Sequence, residues 1–104
     1  MNDEVVMITT APEVAAAAIA RALVEQRLAA CVNILPAVQS VYRWQGAVEE
    51  ASEALVVIKT LRSRFEAVDA ALRELHPYEV YELLALPVEA GNAAYLGWMR
   101  ESVS

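Results

Sequence analysis

The chain of 104 residues holds one cysteine, one histidine and three glycines, and each scarcity closes off a class of function. A single cysteine leaves no internal disulfide framework and suits a reducing cytoplasm. The glycines, Gly46, Gly91 and Gly97, are scattered, so no Gly-rich phosphate loop can be written. Lys and Arg number 8 against 14 Asp and Glu, a net charge of −6, and no basic cluster occurs. Phosphate binding rests on Lys and Arg, so nucleic acid is not an expected partner. No apolar run reaches the ~18 residues of a membrane span. The start, Met1-Asn-Asp-Glu4, is acidic and leads straight into a strand, unlike a signal peptide.

What is present is apolar. Hydrophobic residues make up 58% of the chain, and the mean hydropathy of +0.35 is high for so small a monomer. The length allows one domain, residues 1–104, with little core to spare. Part of the apolar surface is therefore expected at a subunit interface.

The stretch from Cys31 to Thr60 organises the rest. Val38, Ser40, Tyr42 and Trp44 alternate with Gln39, Val41, Arg43 and Gln45, the period of a strand. Gly46 supplies a turn, and Leu55-Val-Val-Ile58 reads as a strand covered on both faces. Extended, residues 31–44 would reach ~46 Å, whereas a globule of this length is roughly 34 Å across. The arm must bend at Pro36, overhang its own domain, or both. An overhanging strand offers unpaired N–H and C=O groups to another chain.

In chain order, a strand over 4–10 precedes a helix from about Pro12, at its first position, to Arg27. This helix has Ala15, Ile19 and Leu23 on one stripe and Arg21–Glu25 as a surface pair. After the hairpin, Ser63-Arg-Phe-Glu66 matches a capping box for a helix burying Phe65, Val68, Leu72 and Leu75 and ending at Pro77. A strand over 82–88 and a short helix from Ala93 to about Glu101, packing Tyr95, Trp98 and Met99, complete the chain. The predicted fold is α+β: a ferredoxin-like βαβ-βαβ sandwich with an extended β-hairpin arm and a short C-terminal helix.

Chemistry-bearing residues are few. A Cys31–His76 dyad can be written, but Cys31 sits among Ala29, Ala30 and Val32, where a lone cysteine usually packs as a small core residue. His76, at a helix end beside Glu74 and Glu79, could ligate a borderline metal ion; the plainer reading, that it caps the last carbonyls, is preferred. Tyr42, Trp44, Lys59, Tyr78 and Glu79 suit either a small-molecule cleft or a subunit interface, the interface being preferred. Glu49, Glu50 and Glu53 read as a solvated edge.

Six blocks then carry a resemblance: Ala30-Cys-Val-Asn33, Ser40-Val-Tyr-Arg-Trp-Gln-Gly46, Lys59-Thr60, His76-Pro-Tyr-Glu-Val80, Leu86-Pro87 and Asn92-Ala-Ala-Tyr-Leu-Gly-Trp98. In that order they resemble the CutA family, the divalent cation tolerance proteins. The resemblance implies a ferredoxin-like protomer, a PII-like fold, a homotrimer joined through the hairpin arms and a cytoplasmic location. It further implies a role in tolerance of divalent metal ions and, for some members, copper binding. Members credited with copper can carry a cysteine and a second histidine where this chain has Thr9 and Leu75, so of that ligand set only His76 carries over. Tyr81 stands where the family often has proline.

The expectation is thus a non-enzymatic trimer acting in divalent-metal response. It requires no cofactor, and any Cu(II) or other divalent ion is bound weakly through His76. A PII-like sensor of a small metabolite, an anionic one included, held in inter-subunit clefts is the alternative, and a passive scaffold a third.

Overall fold

The structure, a computed structural model, describes residues 3–104; Met1 and Asn2 of the acidic start lie outside the described residues. Its order is β1 (Glu4–Ala11), α1 (Glu13–Glu25), β2 (Cys31–Trp44), β3 (Ala47–Leu61), a 3-10 turn at Arg62–Arg64, α2 (Phe65–Leu75), β4 (Leu84–Pro87) and α3 (Ala93–Ser102). The four strands form one antiparallel sheet in the order β2-β3-β1-β4. That is the ferredoxin-like arrangement expected from the sequence.

The core lies on one face. Alternation in β1 and β3 sends Val5, Met7, Thr9 and Ala11, with Ala54, Val56, Ile58 and Thr60, toward the helices, and all eight are fully buried. Ala16, Ile19 and Leu23 of α1 and Val68 and Leu72 of α2 pack against that layer. On the other face Val6, Ile8, Leu55 and Val57 are only half-buried, and Leu35, Leu84 and Leu86 are exposed. The run 55–58 is therefore covered on one face by its own chain. Among the described residues only α3 crosses the open face, at its Glu4–Leu61 end, where Met99 and Val103 pack with Leu61 and Arg100 pairs with the buried Glu4.

Several boundaries differ from expectation. Pro12 is the N-cap of α1 and not its first helical residue, and α1 ends at Glu25. Its buried stripe runs through Ala16 in place of Ala15, while the Arg21–Glu25 pair forms at 3.0 Å. Ser63 does not cap α2: it lies in the 3-10 turn and donates to Asp3 at 3.2 Å, leaving Arg64 at the cap without a side-chain bond. Leu75 is exposed, at the end of α2 beyond the reach of the sheet. β4 is shorter than 82–88, and its Pro87 sits on an edge strand, where a missing N–H costs least. In α3 Met99 is buried, but Tyr95 and Trp98 stay exposed.

The hairpin both bends and overhangs. At Gln45 and Gly46 φ is positive, 51° and 81°, which suits a two-residue turn of the type that matches strand twist. Register passes from Leu35↔Leu55 to Val38↔Glu53, so Pro36 and Ala37 together face Ala54 alone. This is a β-bulge, placed where proline cannot donate to the ladder. Ala37 takes a left-handed φ of 61°, and its N–H donates to Glu13 at 3.1 Å. Beyond the bulge, residues 38–52 include no buried side chain. The molecule measures 44 × 25 × 23 Å. Its accessible surface is 6417 Å², against ~5,800 Å² for a compact monomer of this mass.

Candidate functional site

The bulge decides which arm residues face inward. It shifts β2 by one position, so Ser40, Tyr42 and Trp44, not the odd residues used before Pro36, lie on the open face. There they oppose the loop that joins α2 to β4, and the two walls enclose a cleft of about 820 Å³. Tyr42 and Trp44 line it from the arm, Thr10 and Glu53 from the sheet, and Pro77, Tyr78, Glu79, Val80 and Glu82 from the loop.

His76 fixes that loop. Its Nδ1 accepts from the Tyr78 N–H at 3.1 Å, so Nε2 carries the proton and donates to the Thr10 carbonyl at 2.8 Å. The ring stacks on Tyr81, with centroids 5.1 Å apart and planes 18° from parallel, and sits 4.8 Å from Tyr78. Tyr81 donates to the Asp69 carboxylate at 2.5 Å, tying the loop to α2. Burial, then the hydrogen bond and charge of Asp69, raise the pKa of the Tyr81 phenol, and Arg73 opposes them.

Tyr78 reaches across the cleft and donates to Glu53 Oε1 at 2.7 Å. Its phenol is pushed up to about 12, first by burial, then by the Glu53 hydrogen bond and charge, and last by Tyr42 nearby. Glu53 is only 5% exposed, which overturns its reading as a solvated edge. Unbroken alternation in β3 puts it on the open face with Leu55 and Val57, under Tyr78, and not on a rim in water.

Tyr42, Trp44, Tyr78 and Glu79 therefore share one cleft, whereas Lys59 does not. Lys59 pairs with Cys31 at the base of the hairpin, and its Nζ donates to Asn33 at 2.6 Å. Twelve positions along β3, or about 40 Å, separate it from Ala47 at the tip. Cys31 is half-exposed, not core: it lies on the open face with its thiol 3.8 Å from the side-chain Oδ1 of Asn33. Burial, and then Cys31, raise the pKa of Tyr95 at this end. Glu53 and Tyr81 are the residues missed; period-two alternation from Val57 and Leu55 is the signal that places Glu53 on the open face.

A resident metal fits poorly. His76 is 7% exposed, and neither ring nitrogen has a lone pair to spare while its two hydrogen bonds stand. The preferred capping reading holds for its backbone N–H, which donates to Leu72 at 2.7 Å, and not for its ring; the alternative, a metal-binding imidazole, meets a ring that is already buried and bonded. Among the described residues no three His, Cys, Asp or Glu side chains converge as a metal site. Thr9, at one possible ligand position, is fully buried, and Leu75, at the other, is exposed and apolar.

Fold and site together define a ferredoxin-like, PII-like α+β protein whose long hairpin walls a cleft. Residues 4–102 match the family described as CutA1 divalent ion tolerance protein, and the chain belongs to that family. The divalent-cation tolerance protein CutA of Thermus thermophilus is 51% identical over 100 residues, covering 96% of this chain and 97% of that one. The human protein CutA is 53% identical over 100 residues, covering 93% of this chain and 56% of its own length. A solved divalent cation tolerance protein, also from Thermus thermophilus, superposes with a TM-score of 0.94 at 49% identity, covering 97% of this chain and 99% of that one.

Proposed function

We propose that the chain works as a cytoplasmic homotrimer in the response to divalent metal ions, without catalysing a reaction, and that the cleft beneath its arm receives a ligand. The observation that supports the trimer is a sheet whose second face is covered by α3 at one end and otherwise left bare. Val6, Ile8, Leu55, Val57, Leu84 and Leu86 form an apolar layer that α3 covers at one end, and the arm extends past the domain that makes it. Exposed apolar faces of this kind mark interfaces, and unpaired strand edges pair with other chains. The metal-response part takes its support from the names of the relatives.

Sedimentation equilibrium at micromolar concentration should give three times 11.4 kDa; a monomer would sink the reading. Copper binding should be weak, because His76 must first give up a hydrogen bond to Tyr78 or Thr10. Calorimetry with Cu(II) checks this, and tight, selective binding that survives His76→Ala would place the site elsewhere. A second reading, a sensor of a small metabolite, is favoured by the cleft, whose volume suits a small molecule. Native mass spectrometry of untagged protein would find the retained metabolite if that is the function.

A further inference from the structure

The cleft holds negative charge that its surroundings do not balance. Glu53 is nearly buried, yet its one hydrogen bond is the one Tyr78 donates to Oε1, and no Lys, Arg or His lies within ion-pair distance among the described residues. Oε2 makes no hydrogen bond to them and remains open to the cleft. Removing a carboxylate from water without a cation is costly. Glu79 and Glu82 add two more carboxylates to the wall, against the single guanidinium of Arg43. Arg43, which opposes Val48, lines the cleft from the other side of its strand, so one positive charge offsets part of the three negative ones.

Three aromatic rings complete the enclosure. Tyr42 and Trp44 stand on one wall, 44% and 46% exposed, and Tyr78 on the other. The face of an aromatic ring is its negative pole and attracts a cation, tryptophan most strongly. We propose that this cleft binds a small organic cation, an alkylammonium group seated among Tyr42, Trp44 and Tyr78 and against the open oxygen of Glu53. The proposal rests on the reading of the cleft as a ligand site and names the class of ligand. It reverses the anionic metabolite entertained from the sequence, which would meet three carboxylates and one guanidinium. A bare divalent ion suits the cleft less, since it needs several converging oxygen ligands and no such cluster forms among the described residues.

Choline chloride and its neutral carbon analogue, 3,3-dimethylbutan-1-ol, separate charge from shape. In a Trp98→Phe background Trp44 is the one remaining tryptophan, and its fluorescence reports the cleft. Choline should give a saturable change with a Kd in the millimolar range, and the neutral analogue should bind about tenfold more weakly. Glu53→Gln should reduce choline binding by about the same factor. Tyr78→Phe, which keeps both ring and carboxylate, should retain the preference for choline, so a loss seen in Glu53→Gln through misfolding would be recognised by its circular dichroism. Equal binding of the two compounds, or no response to choline at roughly 100 mM, overturns the proposal. Sedimentation of the same samples keeps the two readings apart. A trimer that ignores choline overturns this inference alone, and a monomer that binds it overturns the trimeric reading alone.

Discussion

The base and the tip of the hairpin are made of the same two strands and differ in what lies over them. At the base, Val56 and Ile58 are sealed under α1 and α2 by the chain's own helices. Past the bulge, Val41, Tyr42, Trp44 and Val48 are comparably apolar and all exposed. One half of the hairpin is buried by its own fold; the other buries no side chain against its own chain. Strand propensity is satisfied in both halves, so burial and not local preference separates them.

The largest expected effect tests the base. Leu72→Ala removes a fully buried side chain wedged between α2 and the sheet, and should cost ~2–5 kcal/mol by denaturant unfolding. A smaller loss would mean that the base, too, depends on a partner. Trp44→Ala tests the tip. If the ring anchors another subunit, the substitution should cost ~2–4 kcal/mol and weaken assembly before it disturbs helix content. An unchanged trimer would give Trp44 to the cleft instead.

Tyr78→Phe probes the joint between the halves. It leaves the buried Glu53 without its hydrogen-bond donor, at a cost of ~1–3 kcal/mol. The sign with pH follows from the raised pKa. The folded state holds the phenol proton more tightly, so this contribution is whole below the ordinary value of 10.0 and is lost as pH rises toward about 12. The stability difference between parent and Tyr78→Phe should therefore shrink across that interval, and a constant difference would count against the bond. The smallest effect belongs to Arg21→Ala, whose partner Glu25 lies on the outer face of α1. An exposed pair of this spacing is worth ~0.3–0.5 kcal/mol and weakens further in salt.

Element order was legible in the sequence because period two and period 3.6 separate cleanly in this chain. Tertiary partners were less so. Ser63 and Glu66 have the spacing of a capping box, but Ser63 bonds to Asp3, sixty positions earlier. Tyr81 reads as a variable loop residue until Asp69 and His76 come to lie beside it. Pro36 announces a bend without its phase, and the phase carries Tyr42 and Trp44 into the cleft. Lys59 falls in with the tip aromatics on strand order, because strand order alone does not say how far along an arm two residues stand.

The bulge at Pro36 and Ala37 has a consequence for how this arm can change in length. Because β3 runs unbroken and the turn sets Trp44 opposite Ala47, removing one of the two residues would leave the other opposite Ala54 and every pairing from Val38 to Trp44 intact. Tyr42 and Trp44 would keep the open face. Matched additions of one residue to each strand near the tip, by contrast, would exchange the faces beyond them. Lineages carrying this arm should therefore gain or lose a single residue at the bulge without turning the tip over, and should otherwise lengthen or shorten the arm in steps of two residues per strand.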